Sequence, residues 1–261
     1  IYNQTNKKII WDVGIDLPTG IICCDNLLFL NSLKNQILGL DKSKKIRHCI
    51  KNKNFNSLHS LVKTPKGFLV TSSGTDLILE VDILGQTLFE WWATDHSFNR
   101  TPSGEERILD KSKDHSIEIY PTLSQATHVN SAVLYGQDSI LTTLFHQGIL
   151  IKIDRRTGDY TTLLEGLSNP HAIYSTTDGF LISDTHNNQA LVLDRNFRVM
   201  RKIKAEFKWV QDAIMESRGN FIIADADNNR IVEILGHDEK NSIISTYYFD
   251  KEWRVFQIKE I

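Results

Sequence analysis

Cysteine is nearly missing from this 261-residue sequence: three occur, Cys23, Cys24 and Cys49, two of them adjacent and the total odd. A secreted disulfide framework needs paired cysteines, so the pattern points to a reducing compartment, and the cytoplasm is the expected location. The chain starts at Ile1 rather than Met, which leaves a removed leader as the alternative. Long hydrophobic runs are lacking too, and the apolar stretches are strand-length, short of the roughly 18 residues that span a bilayer. Nor is there an excess of charge of one sign. The 30 basic and 32 acidic residues nearly cancel without a long block of either, which argues against nucleic acid and membrane as partners and for a small-molecule substrate. A Gly-x-Ser-x-Gly elbow, a Walker-type phosphate loop, a Cys-x-x-Cys pair and the dinucleotide-binding glycine pattern are all absent. Cys23 and Cys24 read as small buried hydrophobes of a strand.

What the chain does have is a repeat. Gly67-Phe68-Leu69-Val70 runs on to Leu79-Glu80-Val81-Asp82, and Gly179-Phe180-Leu181-Ile182 runs likewise to Leu191-Val192-Leu193-Asp194. Ile140-Leu141 to Ile151-Lys152-Ile153-Asp154 and Phe221-Ile222-Ile223 to Val232-Glu233-Ile234-Leu235 keep the same spacing, and a weaker copy runs from Leu27 to Asp41. Each copy is an apolar strand, a polar turn, an alternating strand and a link to a third strand, preceded by another short strand. Four strands in about forty residues describe a β-propeller blade, with the first strand nearest the axis.

The fold class expected is therefore all-β: a single β-propeller domain over residues 1–261 with five complete blades, a five-bladed ring being the alternative to a sixth. That sixth blade would be split, Trp253 to Ile258 supplying one part and Ile1-Tyr2-Asn3 with Lys8-Ile9-Ile10-Trp11 the rest, so that the two termini close one sheet and remove its edges. One interval is out of step, because His59 to His128 spans 69 residues. An insertion at about 95–120 fills it, long enough to be a lid over the axis.

The entrance strands suggest a site. Thr19 to His59 spans 40 residues, His128 to His171 spans 43 and His171 to Asp212 spans 41, so Thr19, His59, His128, His171 and Asp212 are expected to share one register around the axis. Three imidazoles and a carboxylate in one funnel are a ligand set for a divalent metal ion, with iron, zinc or manganese the candidates. His59, His128, His171 and Asp212 are the metal-ligand candidates, and His128, Asn130 and His171 the catalytic ones. His146, His186 and Asp227 align as a second tier, better read as turn residues because Asn-Asn follows two of them. Asp184 and Asp225 read as ties to backbone amides. His96, Asp114 and His115 of the insertion are candidates for substrate contact, and Trp91 and Trp92 should face opposite sides of a sheet.

The segment Thr127-His128-Val129-Asn130-Ser131, followed by Asp138-Ser139-Ile140-Leu141, His146-Gln147 and Ile151 to Gly158, resembles bacterial arylsulfotransferases. The remaining blades match only as generic propeller repeats of the NHL type. The resemblance implies a propeller that passes a sulfuryl group through a histidine, with His128 and Asn130 matching the family's His-x-Asn. Where the family has arginine before His-Gln, this chain has Phe145, which cannot neutralise a transferring anionic group. Three functions follow as expectations: a metal-dependent small-molecule enzyme, metal-free group transfer through an axial histidine, and a non-catalytic interaction scaffold.

Overall fold

The structure, a computed structural model, describes residues 2–3, 8–9, 12–32, 34–250 and 254–260. Each copy of the repeat folds into one four-stranded antiparallel sheet, its strands neighbours in chain order. The first blade comprises β3 (Pro18–Cys24), β4 (Leu27–Ser32), β5 (Gln36–Leu40) and β6 (Ile46–Ile50). The second comprises β7 (Leu58–Lys63), β8 (Phe68–Ser72), β9 (Leu77–Val81) and β10 (Thr87–Trp92). The third holds β11 (Val129–Tyr135), β12 (Ser139–Leu144), β13 (Ile149–Asp154) and β14 (Tyr160–Leu164). The fourth holds β15 (Pro170–Ser175), β16 (Gly179–Asp184), β17 (Gln189–Asp194) and β18 (Val199–Lys204), and the fifth β19 (Val210–Met215), β20 (Phe221–Asp225), β21 (Arg230–Ile234) and β22 (Ile243–Tyr248).

Both faces of the middle strands are buried, which is why they read as continuous apolar runs rather than as strict alternation. Apolar side chains of consecutive blades interdigitate. Phe29 and Ile37 meet Phe68 and Leu77; Leu69 and Ile78 meet Val129 and Ile140; Leu141 and Leu150 meet Ile173 and Phe180; Leu181 and Ala190 meet Ala213 and Phe221. Trp91 and Trp92 are both buried and enter different layers, Trp91 between the second and third blades and Trp92 between the first and second, as alternation along a strand requires.

The expected sixth blade is not seen; the propeller has five. Among the described residues, Tyr2–Asn3 (β1) and Lys8–Ile9 (β2) pair with each other and with no blade, and residues 254–260 form no strand. Ile1, Ile10, Trp11 and Trp253 lie outside the described residues. Among the described residues, none of the hydrophobic clusters joins the fifth blade to the first; the first blade's Leu30, Leu38 and Leu40 instead pack with Val13 and Ile15. Residues 254–260 bridge the seam by separate polar contacts: Gln257 Oε1 accepts from Ile21 N at 2.5 Å, Ile258 N donates to Asp212 at 2.7 Å, and Glu260 accepts from Ser217 N at 2.8 Å. These contacts come from single amides and side chains, so residues 254–260 join the first and fifth blades without a strand ladder.

The insertion is fastened to the second blade. Arg107 and Asp76 form a buried ion pair at 2.8 Å, and the same Asp76 carboxylate accepts from Ala126 N, Thr127 N and His128 N, locking the approach to the third blade. His115 N donates to Lys53 O, and Asn56 donates back to His115 O at 2.7 Å. Cys23 is exposed and Cys24 half-buried, both free thiols, so the expectation of two buried cysteines is corrected: they end the first strand of the first blade, where burial falls off on both faces. Among the described residues, no helix is long and apolar enough to cross a membrane.

Candidate functional site

Strand pairing decides which entrance residues are equivalent. Each innermost strand begins with one paired residue and then slips: Pro18 opposite Ser32, Leu58 opposite Ser72, Val129 opposite Leu144, Pro170 opposite Asp184 and Val210 opposite Asp225. The residue before the first four of these turns through a left-handed conformation, with φ of 48° at Leu17, 50° at Ser57, 48° at His128 and 50° at Asn169. The axial ring, one residue after each paired position, is therefore Thr19, His59, Asn130, His171 and Gln211. His128 stands at the turn two residues earlier, and Asp212 one residue later. The long insertion hides this shift in the sequence, because spacing across it carries no register.

Thr19, His59, Asn130, His171, Gln211 and Asp212 all line one axial cavity of about 30 Å³, closed on the seam side by Phe256 and Gln257. His128 does not line it, yet its ring centroid lies 4.8 Å from that of His59. Phe145 stands edge-on to both His128 and His171 at 5.0 Å, and Trp209 stands 5.4 Å beyond His171. An arc of imidazole and aromatic rings thus runs from His59 through His128, Phe145 and His171 to Trp209. The second tier flanks it: His186 lies 4.9 Å from Trp209, His146 lies 5.9 Å from His128, and Asp227 pairs with Arg254 at 2.8 Å.

The hydrogen bonds assign one tautomer to all three histidines. His59 Nδ1 is 2.8 Å from the Ser57 carbonyl, which only accepts, so Nδ1 carries the proton. Ser73 Oγ, 3.0 Å from the same nitrogen, passes its own proton to the Val129 carbonyl of the next blade. His171 repeats the arrangement: Nδ1 faces Asn169 O at 3.2 Å and Thr185 Oγ1 at 2.9 Å, and Thr185 donates to Val210 O at 2.7 Å. His128 Nδ1 donates to Gln125 Oε1 at 2.5 Å, the amide being oriented by its donation to Tyr120 O. Every Nε2 is left with its lone pair.

In the third blade the same scheme is broken. Phe145 follows Leu144 where Ser73 and Thr185 follow their strands, and a phenyl ring offers no hydroxyl. Asn130, 3% exposed, consequently has neither amide atom hydrogen-bonded among the described residues. A buried unpaired amide costs about 1–3 kcal/mol, so a native fold keeps one where something else answers it.

Electrostatics separates the titratable groups. Burial holds His59 below the usual histidine range and His128 well below it, the neighbouring imidazoles adding to the second effect. Burial also brings His171 down to about 3, so all three rings are neutral at physiological pH. Asp212 moves the other way, pushed up to about 6 by burial against the opposing amides of Ile258 and Ala213.

A divalent metal on His59, His128, His171 and Asp212 needs at least three of these donors to converge. Among the described residues no group of three or more His, Cys, Asp or Glu side chains does so. Both Asp212 oxygens also accept backbone amides, from Ala213 and Ile258. As placed, the four residues do not fit a metal ion, because His128 and Asp212 lie off the ring register. Among the described residues, none from 95–120 lines this cavity. His96 stacks on Trp91 at 4.8 Å, Asp114 caps Ser116, and His115 is 1% exposed beside Tyr120, so none of the three reaches the axis. Asp184 and Asp225 accept from Ser168 N and from Lys208 N, tying each incoming linker to its blade. Gln211, which the even spacing passed over, belongs to the ring and accepts from Trp209 Nε1 at 2.7 Å.

No family model matches the chain, and no curated protein matches it. Among solved structures it is similar to a protein of unknown function from Bacteroides caccae, 13% identical over 97% of this chain and 90% of that one, with a TM-score of 0.69. A chain of the nidogen/laminin complex is 11% identical over 91% of this chain and 82% of that one, with a TM-score of 0.64. A catalytically inactive histidine variant of virginiamycin B lyase from Staphylococcus aureus, solved with quinupristin, is 13% identical over 89% of this chain and 70% of that one, with a TM-score of 0.59. At such identities the likeness shows the β-propeller fold alone.

Proposed function

We propose that the chain is an enzyme that moves a proton on a small molecule held at the propeller axis. Asp212 serves as the acid-base group, Asn130 fixes the substrate, and the Nε2 atoms of His59 and His171 accept its N–H or O–H groups. The observation that carries this reading is the unpaired Asn130 amide lining the same cavity as Asp212, His59 and His171. A carboxyl that titrates near neutrality beside imidazoles that stay neutral is the separation of roles that acid-base sites use. The inactivity of a histidine variant in the neighbouring lyase supports an imidazole at such a site. Sulfuryl transfer has less support, since Phe145 occupies the place of the arginine that would hold the anion.

A screen for turnover of uncharged small molecules, run on the chain and on Asp212→Asn and His171→Ala, tests the reading. The expected loss in Asp212→Asn is roughly 100-fold or more. Unchanged turnover in both folded variants rejects it. The three free Nε2 atoms favour a second reading, in which His59, His128, His171 and Asp212 shift to gather iron, zinc or manganese. Elemental analysis of the untagged protein decides it: stoichiometric metal that disappears in a His128→Ala, His171→Ala double variant supports the metal site.

A further inference from the structure

We propose that the axial site takes an uncharged head group with both N–H donors and a carbonyl acceptor, of carboxamide or urea type, joined to an apolar body that lies against Phe145 and Trp209. This rests on the axial reading above and names its ligand class. Four features of the cavity lead to it. Asn130 presents one unpaired donor, Nδ2, and one unpaired acceptor, Oδ1, and a second carboxamide is the group that answers both at once. His59 and His171 add only acceptors, because their Nδ1 protons are already committed to Ser57 and Ser73 and to Asn169 and Thr185. The ligand must therefore bring more donors than acceptors, as a primary amide or urea does.

Charge and hydrogen-bond balance weigh against the other candidates. The imidazoles are neutral and cannot balance an anion, and Asp212 on the same wall repels one once ionised. Two nearby cations make their contacts outside the cavity and reach it only through space: Arg254 lies 5.2 Å over Trp209 and pairs with Asp227 while its charge acts on His171, and Lys259 lies 5.2 Å over Tyr174 while its charge acts on Asp212. An ammonium group satisfies the imidazoles but has no acceptor for Asn130 Nδ2. Size agrees with the head group. A cavity of about 30 Å³ compares with the roughly 10–15 Å³ that one water needs, which leaves room for a head group of a few heavy atoms such as a carboxamide or urea. The remainder must extend out of the cavity, and Phe145 and Trp209, half-buried and 5.0 and 5.4 Å from the His171 ring, offer it the nearest aromatic faces beyond that histidine.

Three probes of one shape test the proposal: benzamide, benzoate and benzylamine, titrated into the full chain and followed by the NMR signals of the histidine rings and side-chain amides. Benzamide is expected to bind at least tenfold tighter than either charged analogue and to shift Asn130, His59 and His171. Asn130→Leu is expected to lose that preference, and Asn130→Asp to transfer it to benzylamine, a gain that misfolding cannot mimic. Tighter binding of benzoate or benzylamine to the unaltered chain, abolished by His171→Ala, overturns the ligand class while leaving the axial site in place. Failure of all three probes to move the axial signals overturns the ligand class and the axial reading together.

Discussion

Thr185 sits 2.9 Å from His171 Nδ1 and hands its own proton to the carbonyl of Val210, so one hydroxyl both orients an imidazole and fastens the fourth blade to the fifth. Ser73 does the same for His59 and Val129 between the second and third blades. Thr185→Val removes the hydroxyl at little change in volume and leaves Val210 O without its donor. It should cost about 1–3 kcal/mol in urea denaturation, while ¹⁵N NMR of His171 should still show the proton on Nδ1, held by Asn169 O. Thr185→Ser should restore the stability.

Acid stability follows from the same histidines. The unfolded chain takes up protons on His171 near pH 6.5, whereas the folded site refuses them until about pH 3. Its contribution is complete above the unfolded value and is lost as the pH falls through that window, and His59 and His128 act in the same direction. Asp212 has the opposite sign: raised from 3.8 to about 6, it favours folding below its unfolded value and loses that contribution as the pH rises through about 6. Three histidines outweigh one carboxyl, so the urea midpoint should fall on acidification from neutrality. Asp212→Asn should steepen that fall between pH 4 and 6, and a flat profile would contradict the burial of these rings.

The Arg107–Asp76 pair holds the insertion and the approach to the third blade together. Asp76 is fully buried and accepts from three backbone amides as well as the guanidinium, while Arg107 also donates to Ser124 O at 2.8 Å. Removing one partner strands the other's charge inside the protein, so Arg107→Ala should cost about 3–5 kcal/mol. Guanidinium denaturation and proteolysis confined to residues 95–120 would report it. A loss below 1 kcal/mol would mean that the insertion is held by other contacts.

Gly67 and Gly179 occupy equivalent places at the start of the second strand, where a Cβ would meet the carbonyl oxygen of Val81 or Leu193 at 1.9 Å. The neighbouring atom is backbone and cannot swing aside. Gly179→Ala should therefore destabilise by about 1–3 kcal/mol, the range for overpacking, despite the gain in chain stiffness. Differential scanning calorimetry of the two alanine variants should give similar drops if the two blades are equivalent.

Much of the architecture was legible in the amino-acid order. The blade repeat, the opposite facing of Trp91 and Trp92 and the convergence of His59 and His171 all follow from periodicity, because alternation and strand length are local properties that burial then enforces. The axial register was only partly legible. His128 and Asp212 lie near the forty-residue spacing from His171, but strand pairing puts the position after Val129 and after Val210 on the ring, and a spacing that varies by one or two residues between blades cannot fix that register. Asn130 and Gln211 take those places instead, and Phe145 matters because it is where a hydroxyl should be.

The sequence by itself determined the blades, since each needs only neighbouring strands to satisfy its backbone. Tertiary structure decided how the ring closes and what faces its axis. Closure joins residues more than two hundred positions apart, Ile21 to Gln257, through a side chain rather than a strand ladder. No periodicity announces such a contact, because its free energy comes from the seam that five blades leave between them.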